Sequence, residues 1–458
     1  MPSQSDNRKQ QENDARPPRI WTPLFVCILA VTLLMFMASQ GLNAGGSVYL
    51  ARLGNPAAFA GISAAVFSIS AAIMRLVVGQ LLDARGRYLI VVVGAIITAA
   101  ATAACLPRLG NGLFLAMRVF QGIGFSMVTT TAATMASDVL PAERLGEGLG
   151  YHGLGQALAM SMGPALALFL VQTDPAENLF VAIAVLCCAV LVFALLCTYE
   201  KHPEKLPDSS GYRIRMRNAA KAKAEAAEVA KSSPESARTV ESSHADAPVS
   251  QKPRVGIIER VFEPRALCGA LPTLTIAPMM GFVIYFVGLY ATQMDLIGGG
   301  VYYALAAAAM VAVRLMSRAF MDRVAPIRIL GFGVSMGLIS MGLLLPIQPL
   351  AADAAGSLAV DGDGGRTALF CVSGFLYGMC MGVCSPTNQS VAVKNTPPER
   401  WGAANALVLL AIDVGVGVAS IAWGFVHDAW GFHAVIVACM VLLVIAFLFG
   451  WFLYPRKR

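Results

Sequence analysis

Residues 434–453 read AVIVACMVLLVIAFLFGWFL, twenty positions without a charge. About 20 apolar residues are what a helix needs to cross the hydrocarbon layer of a bilayer. A second run, LIVVVGAIITAAATAACLP at 89–107, is nearly as long, and comparable stretches recur to the end of the chain. Lipid gives an unpaired backbone amide no partner, so such runs are expected to be helices that satisfy their own hydrogen bonds. Composition agrees. The chain is 57% hydrophobic and only 13% charged, against roughly 25% charged for a soluble domain. A soluble globular fold is excluded as a reading.

Twelve apolar segments can be traced, at 22–49, 57–82, 88–107, 111–138, 146–172, 178–199, 266–294, 299–322, 328–349, 367–394, 402–427 and 432–453. They are numbered here as spans 1 to 12. The expected organisation is a polar tail at 1–20, a six-helix bundle at 21–199, a linker at 200–265, a second six-helix bundle at 266–454, and a basic tail at 455–458. The linker is rich in Ala, Ser, Lys, Arg and Glu and reads as a solvated connection. Its stretch AAKAKAEAAEVAKSS could also form a helix on the membrane surface. All ten cysteines fall inside apolar runs, without metal-ligand spacing, and read as small hydrophobes. The first 20 residues are polar, and the run from Trp21 lacks the cleavage site of a signal peptide.

An even number of spans puts both ends on one face, and the basic residues indicate which. With the tails, the linker and alternate loops assigned to the cytoplasm, 28 of the 34 Lys and Arg lie inside, while Arg52, Arg108 and Arg366 lie outside. Without the long linker, where the rule is weak, the ratio is still 15 to 3. Both termini are therefore expected in the cytoplasm of a cell with the chain in its inner membrane. The net charge of +7 reflects this topology and gives no indication of nucleic-acid binding.

The chain also repeats itself. RLVVGQLLDARGR at 75–87 is echoed by RLMSRAFMDR at 314–323, matching Arg75 to Arg314 and Asp83 to Asp322 at an offset of 239. PAERLG at 141–146 is echoed by PPERWG at 397–402 at an offset of 256, which also superposes Gly122 on Gly378. The difference of 17 falls on the Gly/Asp-rich stretch 351–367, an external loop between spans 9 and 10. Two six-span units of the same orientation imply a parallel repeat about an axis normal to the membrane, with a solute site between them.

These residues resemble the major facilitator superfamily. Gly79-x-Leu81-x-Asp83-x-x-Gly86-Arg87 is similar to its signature between spans 2 and 3, and Arg118-x-x-Gln121-Gly122-x-Gly124 to its span-4 signature. The span-5 glycine pattern of proton-driven exporters falls on Gly150, Ala159, Gly163-Pro164, Ala167 and Leu168, and is matched in part, by Gly150 and Gly163-Pro164, while its second glycine and closing glycine pair are missing. The resemblance covers about 22–453 and leans toward bacterial drug:proton antiporter-like members. It implies that Gly79, Asp83, Arg85, Gly86 and Arg87 form a conformational latch, with Asp138 as a further member. It also implies a coupling role for Arg118, which could equally make a structural bond to a carbonyl.

Other charges stand out from the residues themselves. Arg75 lies eight residues, or about 12 Å, from Asp83 along the helix. A cation at that depth costs several kcal/mol unless it faces protein or water. Arg314 holds the matching place in span 8. The two can pair with a carboxylate, meet an anionic substrate or cross-link helices. Asp413, in the middle of span 11, reads as a proton-carrying site or as the fixed partner of an intramembrane arginine such as Arg314. His152 reads as a packed histidine before a titrating one. Spans 3, 6, 9 and 12 carry no internal charge and should face lipid, whereas spans 2, 4, 8 and 11 should face a cavity. Gln40, Asn43, Gln156, Tyr285, Tyr377, Asn388, Gln389 and Asn405 are candidate substrate contacts.

The reading is an all-α membrane protein of twelve helices in two parallel repeats around a central cavity. Its expected activity is secondary transport of a small organic solute by alternating access, as proton-coupled efflux. The alternatives are proton-coupled import of a sugar, organic acid or metallophore, and a sensor that keeps the fold without transporting. No cofactor or metal is called for, a monomer is expected, and no phosphate loop or catalytic constellation argues for a pump or an enzyme.

Overall fold

The computed structural model describes residues 20–106, 110–141, 144–172, 175–198, 263–296, 299–320, 324–347, 363–396 and 401–454, with isolated positions in 200–220. Among these the chain is helical, with connecting turns and no strand.

Spans 1 to 6 are the helices Pro23–Arg52, Ala57–Arg85, Arg87–Ala103, Asn111–Val139, Leu145–Gln172 and Asn178–Leu196. Span 7 is Leu267–Tyr285 and Val287–Gln293, separated at Phe286. Spans 8, 9 and 10 are Gly299–Phe320, Pro326–Leu344 and Asp363–Lys394. Spans 11 and 12 are the two arms of Trp401–Leu453, which bends at Gly431, where φ is 73°. Only glycine adopts that left-handed value readily, so the turn between the last two spans is a single residue. The sequence reading left 428–431 between the two spans. It had also drawn span 7 as one helix, which its break at Phe286 corrects.

Local sequence accounts for the ends. Span 1 starts with Thr22 accepting a hydrogen bond from the Phe25 amide at 3.2 Å and with proline in its first turn. Proline sits inside spans 5, 7 and 10, at Pro164, Pro272, Pro278 and Pro386. Such interruptions are tolerated where neighbouring helices re-satisfy the backbone.

Packing follows the repeat. Span 1 packs on span 5 and span 2 on span 4, as span 7 packs on span 11 and span 8 on span 10. The glycines matched in sequence do the same job in each half. A Cβ on Gly122 would run into Phe67 O of span 2, and one on Gly378 into Ala306 O of span 8. Spans 9 and 12 meet where Gly450 lies against Leu330 and Gly331 against Phe447. Rows of large apolar side chains are left bare on the molecule's flanks, such as Val181, Val185 and Val192 on span 6 and Val437, Val441 and Leu448 on span 12. Patches of that length on a soluble protein would drive association, whereas in a bilayer they meet lipid.

The halves join chiefly through span 2 on span 11 and span 5 on span 8. These are repeat-related pairs, so the two seams flank the axis symmetrically. The face carrying loops 2–3, 4–5, 8–9 and 10–11 is called the basic face below, and its opposite the far face.

Candidate functional site

Both repeat-related arginines reach across a seam. Arg75 of span 2 donates from Nε to Asp413 Oδ2 of span 11 at 2.9 Å, and the two side chains remain about a fifth exposed, 20% and 19%. Arg314 of span 8 donates from Nη1 to the Gly153 carbonyl of span 5 at 2.9 Å. Gln156 lies one turn further along span 5, half-buried on the same face. Asp413 therefore has an intramembrane arginine as partner, and the partner is Arg75 rather than Arg314.

Nearer the far face, Arg118 is 2% exposed and surrounded by neutral acceptors. It donates from Nη1 to Gln121 Oε1 at 3.0 Å, from Nη2 to Asn43 Oδ1, and from Nε to the Ser63 carbonyl at 3.5 Å. Its guanidinium carbon stands 4.5 Å from the centre of the Phe67 ring. Asn43 donates in turn to Gln40 Oε1 at 3.4 Å. Beside them Tyr285, at the broken end of the first part of span 7, sits with its hydroxyl 3.2 Å from Ser68 Oγ of span 2. Asn43, Ser63, Arg118 and Tyr285 line one small hollow between the halves. Discontinuous helices beside a central polar hollow are a recurrent way to build a solute site.

On the basic face of the first half, charged side chains gather at the start of span 3. Arg87 and Asp138 form an ion pair at 3.3 Å, each side chain 5% exposed, tying the start of span 3 to the end of span 4. Glu200, just beyond span 6, accepts from the Arg87 and Tyr88 amides at 2.7 and 3.2 Å and caps span 3. Gly86 has φ 84°, and a Cβ there would stand 2.8 Å from Glu200 Oε2. Arg85 is exposed. The side chains of Asp83 and Asn405 lie outside the described residues, as do any contacts they and Gly79 make. Sequence reasoning passed over Glu200, whose only signal was an acidic residue directly after an apolar span.

Asn388, Tyr377 and His152 pack between helices, and Gln389 does not. Asn388, 1% exposed, donates to Thr273 Oγ1 at 3.0 Å and accepts from the Tyr454 hydroxyl, joining spans 7, 10 and 12. Tyr377 is buried against Tyr302 in an aromatic cluster with Phe370. Gln389 is exposed. His152 is buried with Nε2 3.0 Å from the Thr32 hydroxyl, linking spans 1 and 5.

The Major Facilitator Superfamily model matches this chain over residues 25–362 and 354–458. The chain belongs to the Major Facilitator Superfamily. It is similar over almost its whole length to the staphylopine export protein of Staphylococcus aureus, with 21% identity over 435 residues, 95% of this chain and 97% of that protein. Among solved structures, a bacterial homolog of the human lysosomal transporter Spinster aligns with a TM-score of 0.66 and 14% identity, covering 96% of this chain and 98% of that one. The xylose transporter XylE of E. coli aligns with a TM-score of 0.65 and 16% identity, covering 96% and 97%. These structural likenesses establish the two-repeat fold. As a superfamily member the chain is a multi-pass membrane transporter of a small molecule.

Proposed function

We propose that this protein exports a small organic solute from the cytoplasm in exchange for protons, with Asp413 as the group that carries the proton. The observation that carries this reading is the Arg75–Asp413 pair, which joins the two halves inside the membrane and is still partly exposed. A carboxylate held by an arginine of the other half favours the state in which they touch. Protonation or a competing solute that releases it favours the other state, the differential interaction that alternating access requires. The counting of basic residues supports cytoplasmic termini, so the basic face is the inner one.

Efflux is favoured by the export activity named for the Staphylococcus aureus relative, which aligns along nearly the full length of both chains. The described charged side chains at the level of the pair are two guanidiniums, Arg75 and Arg314, and one carboxylate, Asp413. That set suits a polar solute bearing a carboxylate of its own. The latch residues Gly79, Asp83, Arg85, Gly86, Arg87 and Asp138 belong to this reading as the basic-face end of the switch. Gln40, Asn43, Gln156 and Tyr285 belong to it as solute contacts.

The test is transport of a panel of carboxylate-bearing, neutral and cationic solutes in everted vesicles, with and without a protonophore. The reading predicts uptake of a carboxylate-bearing member that collapses with the proton gradient. Transport in the same vesicles that ignores the gradient contradicts proton coupling, and transport confined to right-side-out vesicles makes the protein an importer.

A further inference from the structure

Span 2 begins on the far face without a cap of its own. Its N-cap residue is Pro56, whose side chain makes no capping bond, and its first turn holds no acidic residue. A helix start exposes amide groups that need acceptors and favours a negative charge nearby. Here the acceptor comes from the other half, at the end of span 11. Asp428 takes the Ala57 amide on Oδ1 at 3.1 Å and the Ala58 amide on Oδ2 at 2.8 Å. His427 holds the carboxylate from behind, with Nδ1 3.2 Å from Asp428 Oδ1 and Nε2 3.3 Å from Gln293 Oε1 at the end of span 7. Its ring rests on Phe432, 4.2 Å between centres.

The backbones are brought together for this contact. A Cβ on Gly424 would stand 2.8 Å from Ala58 Cα and 2.9 Å from the Ala57 carbonyl, and one on Gly61 would strike Ser420 O. The seam thus leaves room for glycine alone at the two positions flanking the cap. We infer that Asp428 is the latch of a far-face gate: its carboxylate caps span 2 across the halves while that face is shut and must let go for it to open. Pro56 makes no capping bond and the first turn of span 2 has no acid, so the cap from Asp428 is the contact that the shut state has and the open state lacks. Asp428 and its two amides lie far along the seam from Arg75 and Asp413 and need no solute to act.

This inference rests on the alternating-access reading above, and one distance experiment separates the two. Full-length protein in lipid nanodiscs would carry bio-orthogonal spin labels at Leu53 and Trp430 on the far face, or at Leu89 and Arg328 on the basic face, all exposed positions. Asp428→Asn should raise the ratio of far-face-open to far-face-shut molecules roughly tenfold, the scale of one charge-assisted hydrogen bond. The basic-face distance should shorten in step. Ala57→Pro removes one of the two donors at a first helical position where proline is well tolerated, and should give a smaller shift in the same direction. It serves as the readout if the Asn variant does not fold. An unchanged far-face distribution in the variants, with wild type still populating two states, overturns the gate alone. Far-face opening without basic-face closure also overturns it, since the cap would then be mere local packing. Distances fixed on both faces in every protein, at any pH, would overturn alternating access itself.

Discussion

Arg75 and Asp413 are 338 residues apart in sequence and 2.9 Å apart in space, one on each half of the transporter. A buried ion pair is costly to break from one side, because the surviving charge is left without compensation. Here both side chains keep about a fifth of their exposure, which reduces that cost. Arg75→Gln alone and Asp413→Asn alone should each lower stability by about 1–2 kcal/mol. The double variant should be more stable than the sum of the two losses implies. Unfolding of the four proteins in one detergent tests this; strictly additive losses would mean the pair contributes no coupling.

Arg118 presents a different chemistry. Its three acceptors, on Gln121, Asn43 and Ser63, lie around a planar fork that an ammonium cannot reproduce. Arg118→Lys should therefore abolish most transport although the charge is kept, while expression stays near wild type. Transport by the Lys variant within about twofold of wild type would show that charge alone suffices there.

Gly86 joins two constraints, a left-handed φ of 84° and the carboxylate of Glu200 beside its Cα. Gly86→Ala should lower stability by about 1–3 kcal/mol. Glu200→Ser, which gives up the cap on the Arg87 and Tyr88 amides, should cost less in the Gly86→Ala background than in wild type, because there it also withdraws the crowding. Equal costs in the two backgrounds would place the whole Gly86→Ala loss in the backbone conformation.

Gly122 and Gly378 test the repeat. Each lets a helix of one hand of the repeat rest directly on the backbone of its neighbour, at Phe67 and at Ala306. Substitution by alanine should cost about 1–3 kcal/mol at both sites, since at each the atoms in the way include a backbone carbonyl, which cannot turn aside as the Ser70 hydroxyl beside Gly122 can. A neutral result at one site and a large one at the other would show that the halves are not held together in the same way.

Much of this was legible in the amino-acid order, and the reasons differ by residue. Spans were legible because apolar length is dictated by the bilayer, and the repeat because Arg75 and Arg314 are too costly in lipid to recur by accident. What the order could not give was partners. Asp413 was visible as an intramembrane carboxylate, yet nothing along the chain says that Arg75 of span 2, rather than Arg314, would come to face it. Asn388 and Tyr377 looked like cavity contacts because polarity in a span does not reveal which face of the helix carries it; packing turned both inward. Glu200 and Asp428 escaped notice because they lie at span ends, where charged residues are ordinary, and their roles depend on helix starts more than a hundred residues away.

The central claim is that the carboxylate of Asp413 couples proton movement to the exchange of facing sides. The direct test is Asp413→Asn in vesicles, comparing transport driven by a proton gradient with gradient-free exchange of labelled for unlabelled solute. The account predicts that driven transport falls to background while exchange continues at a comparable rate, because the halves still rock but no proton is carried. Driven transport that survives the substitution undiminished would contradict it.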